Sequence, residues 1–444
     1  MSEACTELLG ELASIRRGIT YTELALRNNP ADGLPYINMK SFLKDGGYNR
    51  FGLKYYAGFH TAADLTKEND LLIANTDVTR DGDIIGVPVI LPDELRNEAL
   101  FSHHVTRLSV SNKLDTGYLY YLLCSDEYRR AMKKYARGTT VLMLDMQGIL
   151  RIPIRYPASV AMQQSTVKIL AGIDITIEKT EALIAKYQQI KAGLMHDLFT
   201  RGVLPSGQLR PSCSEAPELY QETEIGWVPR IWEISGLAAK GRPGASWIRT
   251  GPFGSALKGE HWRTHGHPVI TIGALGEGIF TPGDLLFVDT KNAARLIDFQ
   301  LKAGDVVFSR VADVGRSVVV RNEQAGWIMS SNLMRLAIDE TKARPDFLQM
   351  ALSGDARIKS QIRARVNSGG RDVANSDVLS QLRFVWPDIS EQDQIIALSD
   401  RASCRLNLEL KKLAKLRTQK LGLMQDLLSG KVPVLANEPE AADA

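Results

Sequence analysis

The chain has 444 residues, enough for two or three domains at about 150 residues each. Apolar residues make up 44% and charged residues 24%, which excludes extended disorder and collagen-like structure. A formal net charge of +3 excludes a uniformly cationic, histone-like protein but allows local basic faces, because net charge averages over patches.

The first residues, MSEACTELLGELASIRRG, lack a basic region followed by an apolar core, so no signal peptide is expected. No run approaches the roughly 18 apolar residues of a membrane span. The expected location is cytoplasmic, with no membrane partner. Cys5, Cys124, Cys213 and Cys404 lie far apart without a CxxC pair, which fits a reducing compartment and argues against structural zinc. Residues 1–157 then alternate short β-type runs, such as 83–91 (DIIGVPVIL), with helical pieces such as 117–132. Over 158–204 the residues Ile173, Ile177, Ile184, Tyr187, Leu194 and Leu198 recur at helical spacing, the pattern of an amphipathic or coiled-coil helix. Residues 205–225 hold a Pro- and Ser-rich stretch without periodicity and read as a linker. Residues 226–387 repeat the mixed grammar, with β-type runs at 305–308 and 317–321 and a helical piece at 346–362. A second long helix is expected over 388–432, on Leu406, Leu410, Leu413, Leu416, Leu423 and Leu427. The tail, 433–444, is acidic and expected to be disordered.

The two halves are copies. KAGLMHDL at 191–198 returns as KLGLMQDL at 420–427, with Gly193 and Gly422 standing 229 positions apart. Pro35-Tyr36-Ile37-Asn38 is echoed by Pro268-Val269-Ile270-Thr271, and Asp70 to Ala74 by Asp305 to Ser309. SHHVTRL at 102–108 is echoed by SSNLMRL at 330–336, and Tyr156-Pro157 by Trp386-Pro387. A period this long means two domain-sized copies. Strands and helices without strict βαβ alternation make each copy α+β. About 40 residues at ~1.5 Å each make every long helix roughly 60 Å long. Their seams are expected to pack antiparallel, through Ile177, Ile184, Tyr187, Leu194, Met195, Leu198, Leu406, Leu413, Leu416, Leu423, Met424 and Leu427, with surface left for a partner.

No catalytic constellation stands out: there is no GxxxxGK[ST] loop, no GxGxxG opening a helix and no GxSxG elbow. His261, His265 and His267 cluster without a nearby cysteine and are not assigned a metal. Binding chemistry is better represented. In 249–258 (RTGPFGSALK), Gly251 and Gly254 free the backbone for close approach while Arg249, Thr250, Ser255 and Lys258 offer donors. Arg310 and Arg316 flank a Gly-punctuated turn, and Arg371 follows Gly369-Gly370. In the first copy Asn75, Thr76 and Arg80 take the place of the Arg310 turn, and Arg137, Thr139 and Thr140 close a basic stretch. Arg and Lys beside Gly, Ser, Thr and Asn suit phosphates and base edges. Each residue alone reads as ordinary surface; the doubled module is what points to a nucleic acid.

These boxes, together with ETEIGWVP at 222–229 and GDVVFSR at 304–310, make the chain resemble the specificity (S) subunit of type I restriction-modification systems over essentially its full length. The resemblance implies two pseudo-twofold-related mixed α/β target recognition domains (1–157 and 226–387) separated by two long antiparallel coiled-coil-like helices. It implies a non-catalytic, sequence-specific DNA-binding subunit that reads a bipartite target and docks two modification (methyltransferase) subunits and restriction (translocase-nuclease) subunits. No cofactor is implied in this chain; S-adenosylmethionine, ATP and Mg are expected in the partners. The first copy departs from the pattern, having Arg16-Arg17-Gly18-Ile19-Thr20-Tyr21 near the place of GPFGS. The alternative is a coiled-coil adaptor with two protein-binding domains, separable by the salt dependence that phosphate contacts impose.

Overall fold

A computed structural model describes residues 4–79, 81–244, 246–254, 256–276, 278–311, 314–366, 373–432 and 434. The chain divides into two units, Met1–Glu181 with Lys411–Ala444, and Ala182–Leu410.

The centre of the first unit is a four-stranded antiparallel sheet in the order Ala13–Arg17, Val105–Val110, Asp70–Ala74, Pro88–Val89. The second unit repeats it as Ile248–Thr250, Leu333–Ala337, Asp305–Ser309, Ser317–Val319. The middle strands, DLLIA and DVVFS, are buried at every position, because period-two alternation sends apolar side chains into a core on each face. Leu71 and Ile73 join a core built with the helices Thr116–Cys124 and Asp126–Lys133, while Leu72 and Ala74 join one with Ile37, Val89 and Phe101. A smaller sheet in each unit contains one parallel pair, Leu34–Ile37 with Leu100–Phe101 and His267–Ile270 with Ile328–Met329.

Copied side-chain devices tie these layers together. Gln163 Oε1 accepts from Asp115 N at 2.7 Å while its Nε2 donates to Pro157 O at 2.8 Å. Gln392 does the same with Arg344 N and Pro387 O, both at 2.8 Å. Buried amides with their donors and acceptors satisfied fix the start of each long helix to its unit.

The long helices are Val160–Thr200 and Ile389–Leu428, and each contributes to both units. In the first unit Lys420 pairs with Asp174 and Arg417 with Glu181; in the second, Arg405 meets Tyr187 and Ser399 meets Met195. Within each unit rising numbers on one helix meet falling numbers on the other, so the packing is antiparallel. Ile177, Ile184, Tyr187, Leu406, Leu413 and Leu416 lie on the shielded seam, whereas Leu410, which shares their helical spacing, is exposed. The seam passes through buried Glu409 instead, one position earlier.

Three expectations need correction. Of residues 83–91 only Pro88–Val89 is strand; Gly86, at φ +68°, closes a turn before it. Residues 205–225 are a packed connection rather than a loose linker. They carry part of a hairpin, Tyr220–Thr223 against Gly226–Pro229, and bury Arg210 and Tyr220. Arg210 Nη2 reaches Glu391 Oε1 at 3.1 Å, and the same carboxylate accepts Val203 N at 2.8 Å and Trp232 Nε1 at 3.0 Å. Finally, the GLMxDL boxes enter unit cores: Leu198 packs with Phe347 and Trp386, and Met424 and Leu427 with Leu9 and Tyr118, flanked by Leu194, Met195 and Leu423. With Leu198, Met424 and Leu427 buried there, these boxes anchor the helix ends in unit cores beyond the seam.

Candidate nucleic-acid interface

In each unit, three loops leave the same end of the four-stranded sheet. In the first they are 18–21, 75–79 and 102–104; in the second they are 251–254, 310–311 with 314–316, and 330–332. Backbone bonds make the correspondence residue by residue. Gly18 N donates to Val105 O at 3.1 Å, and Gly251 N to Leu333 O at 2.9 Å. Both glycines are required by close approach: a Cβ on Gly18 would stand 2.2 Å from Phe101 O, and one on Gly251 would stand 1.9 Å from Ser330 O. The RRG of 16–18 is thus the structural counterpart of the RTG of 249–251, which gives a register to the expectation that 16–21 stands near the place of GPFGS.

The pairing places Arg16 opposite Arg107 and Arg249 opposite Arg335. Buried Arg107 lies 3.4 Å from Asp70, and buried Arg335 lies 4.0 Å from Asp305. Asp305 is fully buried, and that burial pushes its carboxyl pKa up despite Lys302 N, Arg242 and Arg335. The outer arginines meet outer acids, Arg16 with Asp64 at 2.7 Å and Arg249 with Asp298 at 3.2 Å. The Thr61 hydroxyl and then Arg16 hold the Asp64 carboxyl down at about 2. Arg249 also lies over the Phe299 ring, 5.1 Å from its centroid.

The expected binding residues divide by exposure. Beyond buried Gly251, Gly254 and Lys258 are exposed, while Thr250 is half-buried in its strand. Arg137, Thr139 and Thr140 stand exposed on a hairpin, Ala136–Arg137 against Leu142–Leu144, whose second strand pairs with Thr76–Asp77. Arg137 is held to Asp145 at 3.0 Å. Asn75 and Thr76 are buried, against expectation: the Asn75 amide donates to Thr106 Oγ1 at 2.9 Å, and Thr76 Oγ1 contacts Met39 Sδ and His104 Nδ1. They shape the turn from inside. The equivalence of the Asn75 and Arg310 turns holds: Leu144 N donates to Asn75 O and Ala374 N to Arg310 O, both at 2.8 Å. Arg310 is half-buried, and Arg316 Nη1 donates to Leu275 O at 2.8 Å. Arg80, Ser255 and Arg371 lie outside the described residues.

His103 and His104 belong to this junction with Arg16 and Arg17, and none of the four is among the expected binding residues. Arg17 Nε donates to His103 O at 2.8 Å, and the two imidazoles lie against each other with centroids 3.8 Å apart. Burial lowers both histidine pKa values, with Arg17 adding to the effect on each and His103 to that on His104. Neutral rings beside a backbone junction can donate or accept to base edges. The signal available in sequence was the His-His pair inside a repeated segment. The described residues contain no group of three or more potential metal ligands and no helix long and apolar enough to cross a membrane.

Fold and site define a tandem-repeat protein: two copies of one sheet, each ending in three loops at one end. Residues 5–189 match the family described as type I restriction modification DNA specificity domain. The type I restriction enzyme MjaVIII specificity subunit of Methanocaldococcus jannaschii is 22% identical over 405 residues, which cover 90% of this chain and 86% of that protein. The fold is shared with the solved type I restriction-modification S subunit of M. genitalium, at a TM-score of 0.57 and 14% identity over 96% of both chains. It is shared also with a chain solved in a study of complex assembly and conformational transition of the type I R-M system. There the TM-score is 0.54 at 15% identity, over 97% of this chain and 98% of that one. Over residues 5–189 the chain is thus similar to a type I restriction modification DNA specificity domain, and over most of its length it is similar to a specificity subunit and shares the fold of solved ones.

Proposed function

We propose that the chain is the recognition subunit of a type I restriction-modification complex and reads a bipartite double-stranded DNA target, one half-site per unit. The observation that carries this reading is the duplicated junction, with Arg16 and Arg249 at one register position and a Gly-anchored loop leaving each. Arg and Gly at such loop bases suit phosphate positioning, and the exposed loop residues suit base readout. Two readers joined by a common helix pair would produce a split sequence with an unread spacer, as half-site spacing follows reader spacing elsewhere. The chain itself performs no reaction in this account. Two methyltransferase subunits using S-adenosylmethionine, and restriction subunits using ATP and Mg, act on the site it selects in the cytoplasm. Selection from a random DNA pool by the complex formed with the methyltransferase subunit tests this. A gapped, two-part consensus and salt-dependent affinity are expected; no enriched sequence would favour the protein-binding adaptor.

A further inference from the structure

The two units differ at one copied place. In the first, the helix Asp126–Lys133 lies tight on the turn that follows Asp70–Ala74: a Cβ on Gly86 would meet Met132 Cβ at 2.9 Å. Two of its three cations, Arg129 and Lys133, are consumed there. Arg129 Nη1 donates to Ile85 O at 2.6 Å and Nη2 to Asp83 O at 3.0 Å, and Lys133 Nζ donates to Asp81 O at 3.0 Å. In the second unit the corresponding helix is Ala356–Val366, entered after the same one-residue helix break, at Asp355 as at Ser125. Gly315 takes the place of Gly86: Gly86 N donates to Ala74 O, and Gly315 N to Ser309 O. Ile362 takes the place of Met132, but among the described residues, its own chain neighbours apart, nothing comes closer to a Cβ on Gly315 than Leu352 O, at 3.9 Å. Helix and turn stand apart, leaving a cavity of about 370 Å³ whose lining includes Val314, Gly315, Ile362 and the cations Arg316, Lys359 and Arg363. Lys359 and Arg363, the counterparts of Arg129 and Lys133, are exposed and have no hydrogen bond or ion pair among the described residues. No acidic side chain is among the described residues lining it.

We propose that this cleft is an anion site that takes phosphodiester oxygens of the DNA backbone, clamping the second unit on its half-site in a way the first does not share. Free cations on one helix face, four residues apart and above a Gly turn, hold a phosphate by charge and N–H donation without reading sequence. The proposal rests on the DNA-reading function above. It is tested with the assembled complex carrying Lys359→Ala and Arg363→Ala, both at exposed positions expected to leave folding intact. Affinity for the selected DNA should fall with the consensus unchanged, and the slope of log affinity against log salt should flatten by about 1 to 2. Arg129→Ala with Lys133→Ala should lower the melting temperature and leave that slope alone. A wild-type slope and affinity in the Lys359/Arg363 variant, with DNA binding otherwise intact, would overturn the site while the DNA-reading function stands. Absence of DNA binding by the wild-type complex would remove that function itself. Inorganic phosphate separates the sources: phosphate-dependent stabilisation lost in the variant, with the DNA slope unchanged, would assign the cleft to a free anion and overturn the DNA proposal.

Discussion

Arg249 stands directly across from Arg335 in the pairing of Ile248–Thr250 with Leu333–Ala337, two like charges at one register position. Such a pair is unfavourable unless each cation has its own acid. Asp305 lies beneath the buried Arg335 and Asp298 lies beside the outer Arg249. The two arginines therefore serve different ends, since Arg335 belongs to the core and Arg249 can be released to a ligand.

Arg249→Ala should accordingly change stability by less than about 1 kcal/mol, since its ion pair is largely exposed. It should weaken binding to the second half-site while binding to the first is kept. Urea denaturation and competition between half-site variants of the selected DNA check both parts.

Asp305→Ala should behave oppositely. Removing the acid leaves Arg335 and Arg242 facing a buried gap, and breaking such a pair costs about 3 to 5 kcal/mol. The expected result is a lowered urea midpoint for the second unit, with Asp70→Ala doing the same to the first through Arg107.

Glu391→Ala should be as damaging, through the buried connection. Its carboxylate serves Arg210, Val203 N and the Trp232 indole together, so the loss orphans three donors at once. Limited proteolysis within 205–225, resisted by the wild-type chain, is expected to be rapid in the variant.

The histidine pair gives a pH dependence. Both folded-state pKa values lie below the usual 6.5, because burial and the Arg17 charge disfavour the imidazolium. The unfolded chain then binds more protons as pH falls, so this contribution to stability is complete above about 6.5 and is lost below it. The groups facing the pair are Arg17, Thr76 and Tyr21, none of them an acid that would reverse the sign. His104→Asn, which installs the residue found at the equivalent Asn332, should flatten the dependence of the urea midpoint on pH between about 5 and 7.

Much of this architecture was legible because it repeats. DLLIA and DVVFS are apolar enough to announce central strands, and the seam residues Ile177, Ile184, Leu406 and Leu413 carry helical spacing that packing then uses. What escaped depends on distant partners. Residues 205–225 look like a linker because no local pattern shows that Arg210 meets Glu391 from 181 positions away. Asn75 and Thr76 have the chemistry of a DNA-facing turn, yet Thr106, Met39 and His104 enclose them. The sequence places RRG near GPFGS, but its register with RTG shows only in the backbone oxygens that Gly18 and Gly251 approach. The free state of Lys359 and Arg363 could not be read from charge alone, since Arg129 and Lys133 have the same spacing and are spent on carbonyls.

The most direct test of the central claim is single-molecule methylation sequencing of DNA from cells carrying the methyltransferase subunit with the wild-type chain, with Arg249→Ala, or without this chain. With the wild-type chain, modified adenines are expected in a two-part motif with a fixed unread spacer. That motif should vanish without the chain, and with Arg249→Ala its second half should relax while its first half persists. An adenine methylation pattern identical in all three would contradict the account.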